Sequence, residues 1–226
     1  MQHIPVITID GPGGVGKGTL SKQLATHLGW HFLESGALYR VLAIAAQNHS
    51  VANGNVSALA VLARHLDVVF EENPSRILLE GQDISKLIRT EECGSAASKI
   101  AQLPDVREAL LARQHAFLQA PGLIADGRDM GTVIFPKADL KLFLQADPEV
   151  RAKRRQFQLK EQGIDVSLDS LFSEIAERDL RDRERKISPL RPASDAIVIN
   201  TSDMPIVDVF TLALEEAKER GLVGLA

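Results

Sequence analysis

The chain contains a single cysteine, Cys93, so no disulfide can form within it and a reducing compartment is the natural fit. No apolar run approaches the length of a membrane span, which predicts a soluble protein. A glycine-rich turn already begins at Gly11. This leaves no room for a signal peptide ahead of it, and a cytoplasmic location is expected. Six histidines, His3, His27, His31, His49, His65 and His115, form no His-Glu-x-x-His zinc motif and read as surface or packing residues. Basic residues are not in excess either. The formal net charge of -4 argues against a general nucleic-acid binder, whose phosphate contacts usually show as a basic domain. There is no internal repeat and no low-complexity tract.

What is present suits one domain with insertions: 226 residues, 45% hydrophobic and 25% charged, enough to bury a sizeable core. Apolar runs at Val6 to Ile9, His31 to Leu33, Leu123 to Ala125, Leu140 to Leu144 and Ala196 to Ile199 alternate with helical patterns. That alternation predicts an α/β fold with a parallel sheet whose ligand sits at the carboxyl ends of the strands. Asp10, Glu34, the stretch Asp126 to Asp129 and Asn200 then share one edge. Two stretches interrupt the pattern. Between the second and third strands lies a long insertion in which Leu66 to Phe70 and Arg76 to Glu80 flank Glu72-Asn73-Pro74-Ser75 like a hairpin. The second stretch, Pro148 to Pro192, is helical and has the composition of a mobile lid over phosphates; from Arg151 to Arg191 it carries eleven Lys/Arg against eight Asp/Glu. Pro205 to Arg220 reads as an amphipathic helix covering the sheet.

The first apolar run leads into Gly11-Pro12-Gly13-Gly14-Val15-Gly16-Lys17-Gly18-Thr19 and then a helical segment. Strand, glycine-rich loop and helix in that order form a Walker A site. Its backbone N–H groups and helix N-terminus surround a β-phosphate, while Lys17 reaches toward the γ-phosphate. One departure is notable: Gly18 follows Lys17, and the hydroxyl arrives one place later, at Thr19. On its own the loop says only nucleoside triphosphate.

Leu168, Leu171, Phe172 and Ile175 recur at helical spacing and predict one buried face. Continuing that face gives Arg178, Asp179 and Asp182, and Arg178, Arg181, Asp182 and Arg185 share a surface. Such a run is ordinarily a solvated helix end with intrahelical ion pairs. Beside a Walker A loop it suits phosphoryl transfer, which needs guanidinium groups around charged oxygens. At the end of the third strand, Asp126 lies where a Walker B acid would hold magnesium or its waters, with Arg128 and Asp129 following.

Taken together, GPGGVGKGT, ESGALYR, LIADGRDMGTVIFP and ERDLRDRERKISPL resemble, in order and across nearly the entire chain, the bacterial cytidylate kinase family. The Gly-Lys-Gly-Thr variant is similar to the nucleoside monophosphate kinase branch, in which magnesium is held largely through waters and substrate phosphates. The resemblance implies a three-layer α/β/α phosphate-loop core with a five-stranded parallel sheet, at residues 1–35, 122–147 and 193–226. It also implies an enlarged monophosphate-binding region at 36–121 and a short helical lid at 148–192.

By the same resemblance Ser98, Arg107 and Asp129 read cytosine, Arg178 and Asp182 hold the sugar, and Arg40, Arg128 and Arg185 contact phosphates. Ser35 opens the monophosphate-binding helix. Residues Gly11 to Thr19 hold ATP, with Arg154 and Arg155 clamping it from the lid, and Thr19 and Asp126 serve Mg²⁺ through water. Lys17, Arg128, Arg178 and Arg185 carry the catalytic charge. The implied reaction is transfer of a phosphoryl group from ATP to CMP or dCMP by a monomer. An adenylate- or shikimate-type kinase on the same core is the nearest alternative. A non-catalytic NTP switch is another, although no Asn-Lys-x-Asp guanine-reading motif is present.

Overall fold

The strand that precedes the glycine-rich loop, Val6–Asp10 (β1), is buried at all five positions, as a central strand covered on both faces must be. The computed structural model describes residues 3–72, 75–161 and 163–223. In it β1 lies third in a five-stranded sheet ordered β2-β6-β1-β7-β8. The other strands are His31–Glu34 (β2), Leu123–Gly127 (β6), Leu140–Gln145 (β7) and Ile197–Asn200 (β8). Every pairing in this sheet is parallel. Each expected strand is therefore present, extended at its carboxyl end by one polar residue or, in β6, by Asp126 and Gly127; β8 begins one residue later than expected, at Ile197.

The chain divides into two compact units, one comprising Met1–Glu34 with Phe117–Ala226, the other Ser35–Ala116. In the first, helix Lys17–Leu28 (α1) and the C-terminal helix Ile206–Glu219 (α8) close one face of the sheet. Ile7, Ile9, Leu142, Leu144 and Ile199 from the strands pack there with Leu20, Leu24, Val209 and Ala213 from the helices. The α1 helix stops at Gly29, which adopts φ 64° and turns its N–H back to the Ala25 and Thr26 carbonyls. This left-handed cap is open to glycine at little cost. Helices Pro148–Glu161 (α6) and Leu168–Arg183 (α7) pack together through Ala152, Leu159 and Leu171.

That small cluster corrects one expectation. Leu171 is buried, but Phe172 is 40% exposed; it lies at the edge of the stripe, one position round the helix from Leu171 and away from the side packed on α6. Past Ile175 the buried face does become charged, with Asp179 and Asp182 inside.

The second unit holds helices Ser35–Asn48 (α2), Val56–Arg64 (α3), Glu91–Ile100 (α4) and Pro104–His115 (α5), with a three-stranded antiparallel sheet. Its strands are Val68–Glu72 (β3), Ser75–Leu79 (β4) and the two-residue Gln82–Asp83 (β5). The expected hairpin is thus present with a third strand that sequence reading does not supply. Asn73 and Pro74 of its expected turn lie outside the described residues.

Candidate active site

Positive φ angles of 79° at Gly14 and 94° at Gly16 wrap the loop between β1 and α1, a conformation that strains side-chain-bearing residues. At Gly11 a Cβ would collide with the Leu144 carbonyl, so the loop leaves β1 pressed against β7. Lys17 is buried, its Nζ donating to the Pro12 carbonyl at 2.7 Å. Burial, with Arg128 adding to it, lowers the Lys17 pKa to about 7, against the opposing pull of Asp126.

Asp126 ends β6 beside this lysine. Its pKa is pushed up to about 6 by burial, with Lys17 working the other way and Glu34 adding to the rise. Gly18 leaves space before the carboxylate: a Cβ there would lie 3.7 Å from Asp126 Oδ2. Oxygen donors of this kind, a carboxylate with the exposed Thr19 hydroxyl nearby in the chain, fit a hard cation that keeps most of its waters. Among the described residues no group of three or more metal-ligating side chains converges.

The α7 face meets the β6 end through Asp182, whose side chain is 1% exposed. It accepts from Arg128 Nε at 3.0 Å and from Arg185 Nη2. Burial works to raise the Asp182 pKa, but Arg128, Arg185 and Arg178 outweigh it and hold the carboxyl below its ordinary value. Arg128 shows the converse balance: burial acts to lower it, and Asp182 raises it further. Arg178, Asp182 and Arg185 thus lie together as their helical spacing predicts, and Arg128 joins them from the end of β6. Arg181 does not join them; it pairs with the exposed Glu177 at 3.6 Å, the ordinary solvated pairing of a helix surface.

Asp129 is buried at the start of a π-helical turn, Met130–Ile134. Arg154 donates to the Thr201 carbonyl at 2.6 Å, and Thr201 Oγ1 bonds the Val15 carbonyl at 3.0 Å, so this arginine stands at the loop. Arg155 reaches Gln158 at 3.4 Å. In the Ser35–Ala116 unit, Ser35 Oγ donates to Gln114 Oε1 at 2.8 Å. Arg40 donates to the Ile88 and Thr90 carbonyls at 2.5 and 3.1 Å. Ser98 and Arg107 are buried on α4 and α5, with Arg107 donating to the Ala101 carbonyl at 3.3 Å.

The family model described as cytidylate kinase matches residues 7–219. The chain belongs to the cytidylate kinase family. It is 57% identical over 221 residues to "Cytidylate kinase" from Shewanella denitrificans, covering 96% of this chain and 97% of that protein. It is 58% identical over 217 residues to the protein of the same name from Nitrosococcus oceani, covering 94% and 96%. A solved structure from Thermus thermophilus, 19% identical and covering 99% of this chain and 100% of that one, superposes with a TM-score of 0.50; it shares the fold. The protein is therefore a phosphate-loop kinase of the cytidylate kinase family, which phosphorylates nucleoside monophosphates.

Several groups at this kinase site escape sequence reading. Arg151, 1% exposed, donates to both oxygens of Asp179 at 3.1 and 2.5 Å, to the Gly13 carbonyl at 3.2 Å and to Ala146 at 3.1 Å. It joins the phosphate loop to α7, yet in the sequence it is one of several basic residues on one helix. Within the Ser35–Ala116 unit, the buried Gln114 that holds Ser35 is likewise unmarked by its neighbours' spacing.

Two effects follow. Arg151→Met is expected to destabilise the fold by about 3–5 kcal/mol, because the Asp179 charge would stay buried without its partner. Adding Asp179→Leu should recover part of that loss in urea unfolding; equal instability of the double variant would speak against the pair. In the ligand-free enzyme, Asp126→Asn is expected to raise the Tm at pH 8. The folded Asp126 carboxyl holds its proton up to about 6, above the ordinary 3.8. Its stabilising contribution is thus complete below 3.8 and is lost as pH rises through about 6. The gain from asparagine should shrink toward pH 4, and a pH-independent difference would contradict it.

Proposed function

We propose that the chain transfers the γ-phosphoryl group of ATP in line to the α-phosphate of CMP or dCMP, giving CDP or dCDP and ADP, as a cytoplasmic monomer needing no nucleic-acid partner. The observation that carries this reading is the Arg128–Asp182–Arg185 cluster. It gathers guanidinium groups at the same sheet edge as Lys17 and Asp126, where transferred charge must be neutralised. An already anionic acceptor phosphate attacks without a strong base, so alignment and charge neutralisation suffice. The Gly11 to Thr19 loop and Lys17 take the donor phosphates, with Arg154 and Arg155 on the donor side. Asp126 and Thr19 would hold Mg²⁺ through water, and the ion when bound offsets phosphate charge.

Asp182 and Arg178 suit the sugar, while Arg40, Arg128, Arg185 and Ser35 suit the monophosphate. Ser98, Arg107 and Asp129 supply the donors and acceptor that cytosine requires: a carboxylate accepts from its amino group, and Arg and Ser satisfy its ring acceptors. The separate Ser35–Ala116 unit supports residues 36–121 as the monophosphate region, and the α6–α7 pair supports 148–192 as the lid.

A coupled ADP-release assay with CMP, dCMP, UMP, AMP and no acceptor tests the reading. Turnover with CMP and dCMP well above UMP and AMP is expected. Preference for AMP would point to another monophosphate kinase, and acceptor-independent hydrolysis would point to a switch.

A further inference from the structure

Asp129 occupies the position from which an aspartate ordinarily caps a helical turn, accepting from the second or third N–H of that turn with its own carboxylate. Here it makes no such capping bond to Met130–Ile134. The capping is supplied from another strand. Asp10, 5% exposed at the end of β1, accepts from Met130 N with Oδ1 and from Gly131 N with Oδ2, both at 2.8 Å. The turn is also pressed onto β1: a Cβ on Gly131 would lie 2.8 Å from Thr8 Oγ1 and 3.1 Å from Lys141 Cδ. The Asp129 carbonyl closes the turn by accepting from Val133 N at 2.9 Å and Ile134 N at 3.2 Å, so its backbone is fixed on both sides. π-Helical turns of this kind recur at functional sites.

We propose that Asp10 is a positioning residue for base recognition, capping the turn in place of Asp129 and so keeping the Asp129 carboxylate directed to the base rather than to its own backbone. The proposal rests on Asp129 reading the base. A carboxyl group suits the task because its two oxygens accept from two adjacent N–H groups at once; burial raises the Asp10 pKa to about 7 against the pull of these two bonds, which gain charge assistance as pH rises through that value. Without it, the Met130 and Gly131 N–H groups would need another acceptor, and Asp129 stands at the capping position of the same turn.

The test compares kcat/KM for CMP and UMP, and KM for ATP, in wild type, Asp10→Asn, Asp129→Asn and the double variant. Asp10→Asn keeps the shape but offers one good acceptor, and the CMP/UMP ratio is expected to fall about tenfold or more, the scale of a lost charged hydrogen bond. KM for ATP should stay within about twofold, below the effect of losing one net hydrogen bond. In the Asp129→Asn background, Asp10→Asn should lower the ratio no further, because the two act through one group. Gly131→Ala displaces the turn with Asp10 intact and should lower the ratio in the same way; it decides the matter if Asp10→Asn does not fold.

An unchanged ratio in a folded Asp10→Asn enzyme overturns the proposal. So does an equal loss with both acceptors through the ATP KM, which would assign Asp10 to the phosphate loop. If Asp129→Asn itself leaves the ratio unchanged, the base-reading assignment fails, whatever Asp10 does, and the proposal falls with it.

Discussion

Arg185→Ala is expected to lower kcat with CMP by ~10² or more, the scale of an arginine that stabilises a phosphoryl-transfer transition state. On a solvated helix end the same loss would cost about 0.5 kcal/mol of stability and nothing in turnover. The Arg185 side chain, however, is only 5% exposed and is paired with a carboxylate that Arg128 also holds. Its removal leaves Asp182 with one fewer cation, so some fall in Tm accompanies the kinetic loss and the two must be separated. Arg185→Lys does this: it restores the charge near Asp182 but not the planar fork that spans two phosphate oxygens. Recovery of Tm with most of the kcat deficit remaining is the expected result. Wild-type kcat in Arg185→Ala, with only a lower Tm, would make the residue structural.

Asp129→Asn is expected to collapse the preference for CMP over UMP, by as much as ~10⁴ if the site is matched to its base through buried polar groups. Asp129 is buried, so water cannot readily compensate a mismatched partner. On the proposed reading the wild-type carboxylate accepts from the cytosine amino group and repels the uracil carbonyl at the same ring position. An amide can donate to that carbonyl instead. Specificity constants for both nucleotides measure the change, and an unaltered ratio would remove Asp129 from the base pocket.

The larger sheet was legible because strands covered on both faces leave continuous apolar runs. The runs understate four strands by their last residue and β6 by two: Asp10, Glu34, Asp126, Gln145 and Asn200 stay in the ladder although they are polar, since backbone pairing persists where apolar side chains have ended. Strand β5 was illegible for the opposite reason. Gln82 and Asp83 are exposed and polar, and they form a strand only because the turn at Gly81 lays them against Leu78 and Leu79. The loop residues Gly11 to Thr19 and the stripe from Arg178 to Arg185 were legible as spacing. Which carboxylate faces which cation was not. Asp179 could have paired along its own helix as well as with Arg151, and Asp10 meets Met130 across 120 positions of chain, a closeness that only the register of β1 against β6 creates.

The α6–α7 hairpin is fastened at its base. Arg151 and Arg154 tie the start of α6 to Gly13, Ala146 and Thr201, while Asp179 and Asp182 tie the end of α7 to Arg151 and Arg128. Mechanically the pair is a cantilever. Its anchored root moves with the phosphate loop, and its far half carries the exposed apolar residues Phe157, Ile164 and Phe172. Fourteen residues of α6 at about 1.5 Å each make an arm of about 20 Å. A tilt of about ten degrees about the root would carry the tip about 3–4 Å on that arm, yet leave Arg128, Asp182 and Arg185 almost where they stand. A hairpin anchored in this way can therefore tilt without dismantling the charged cluster at its root.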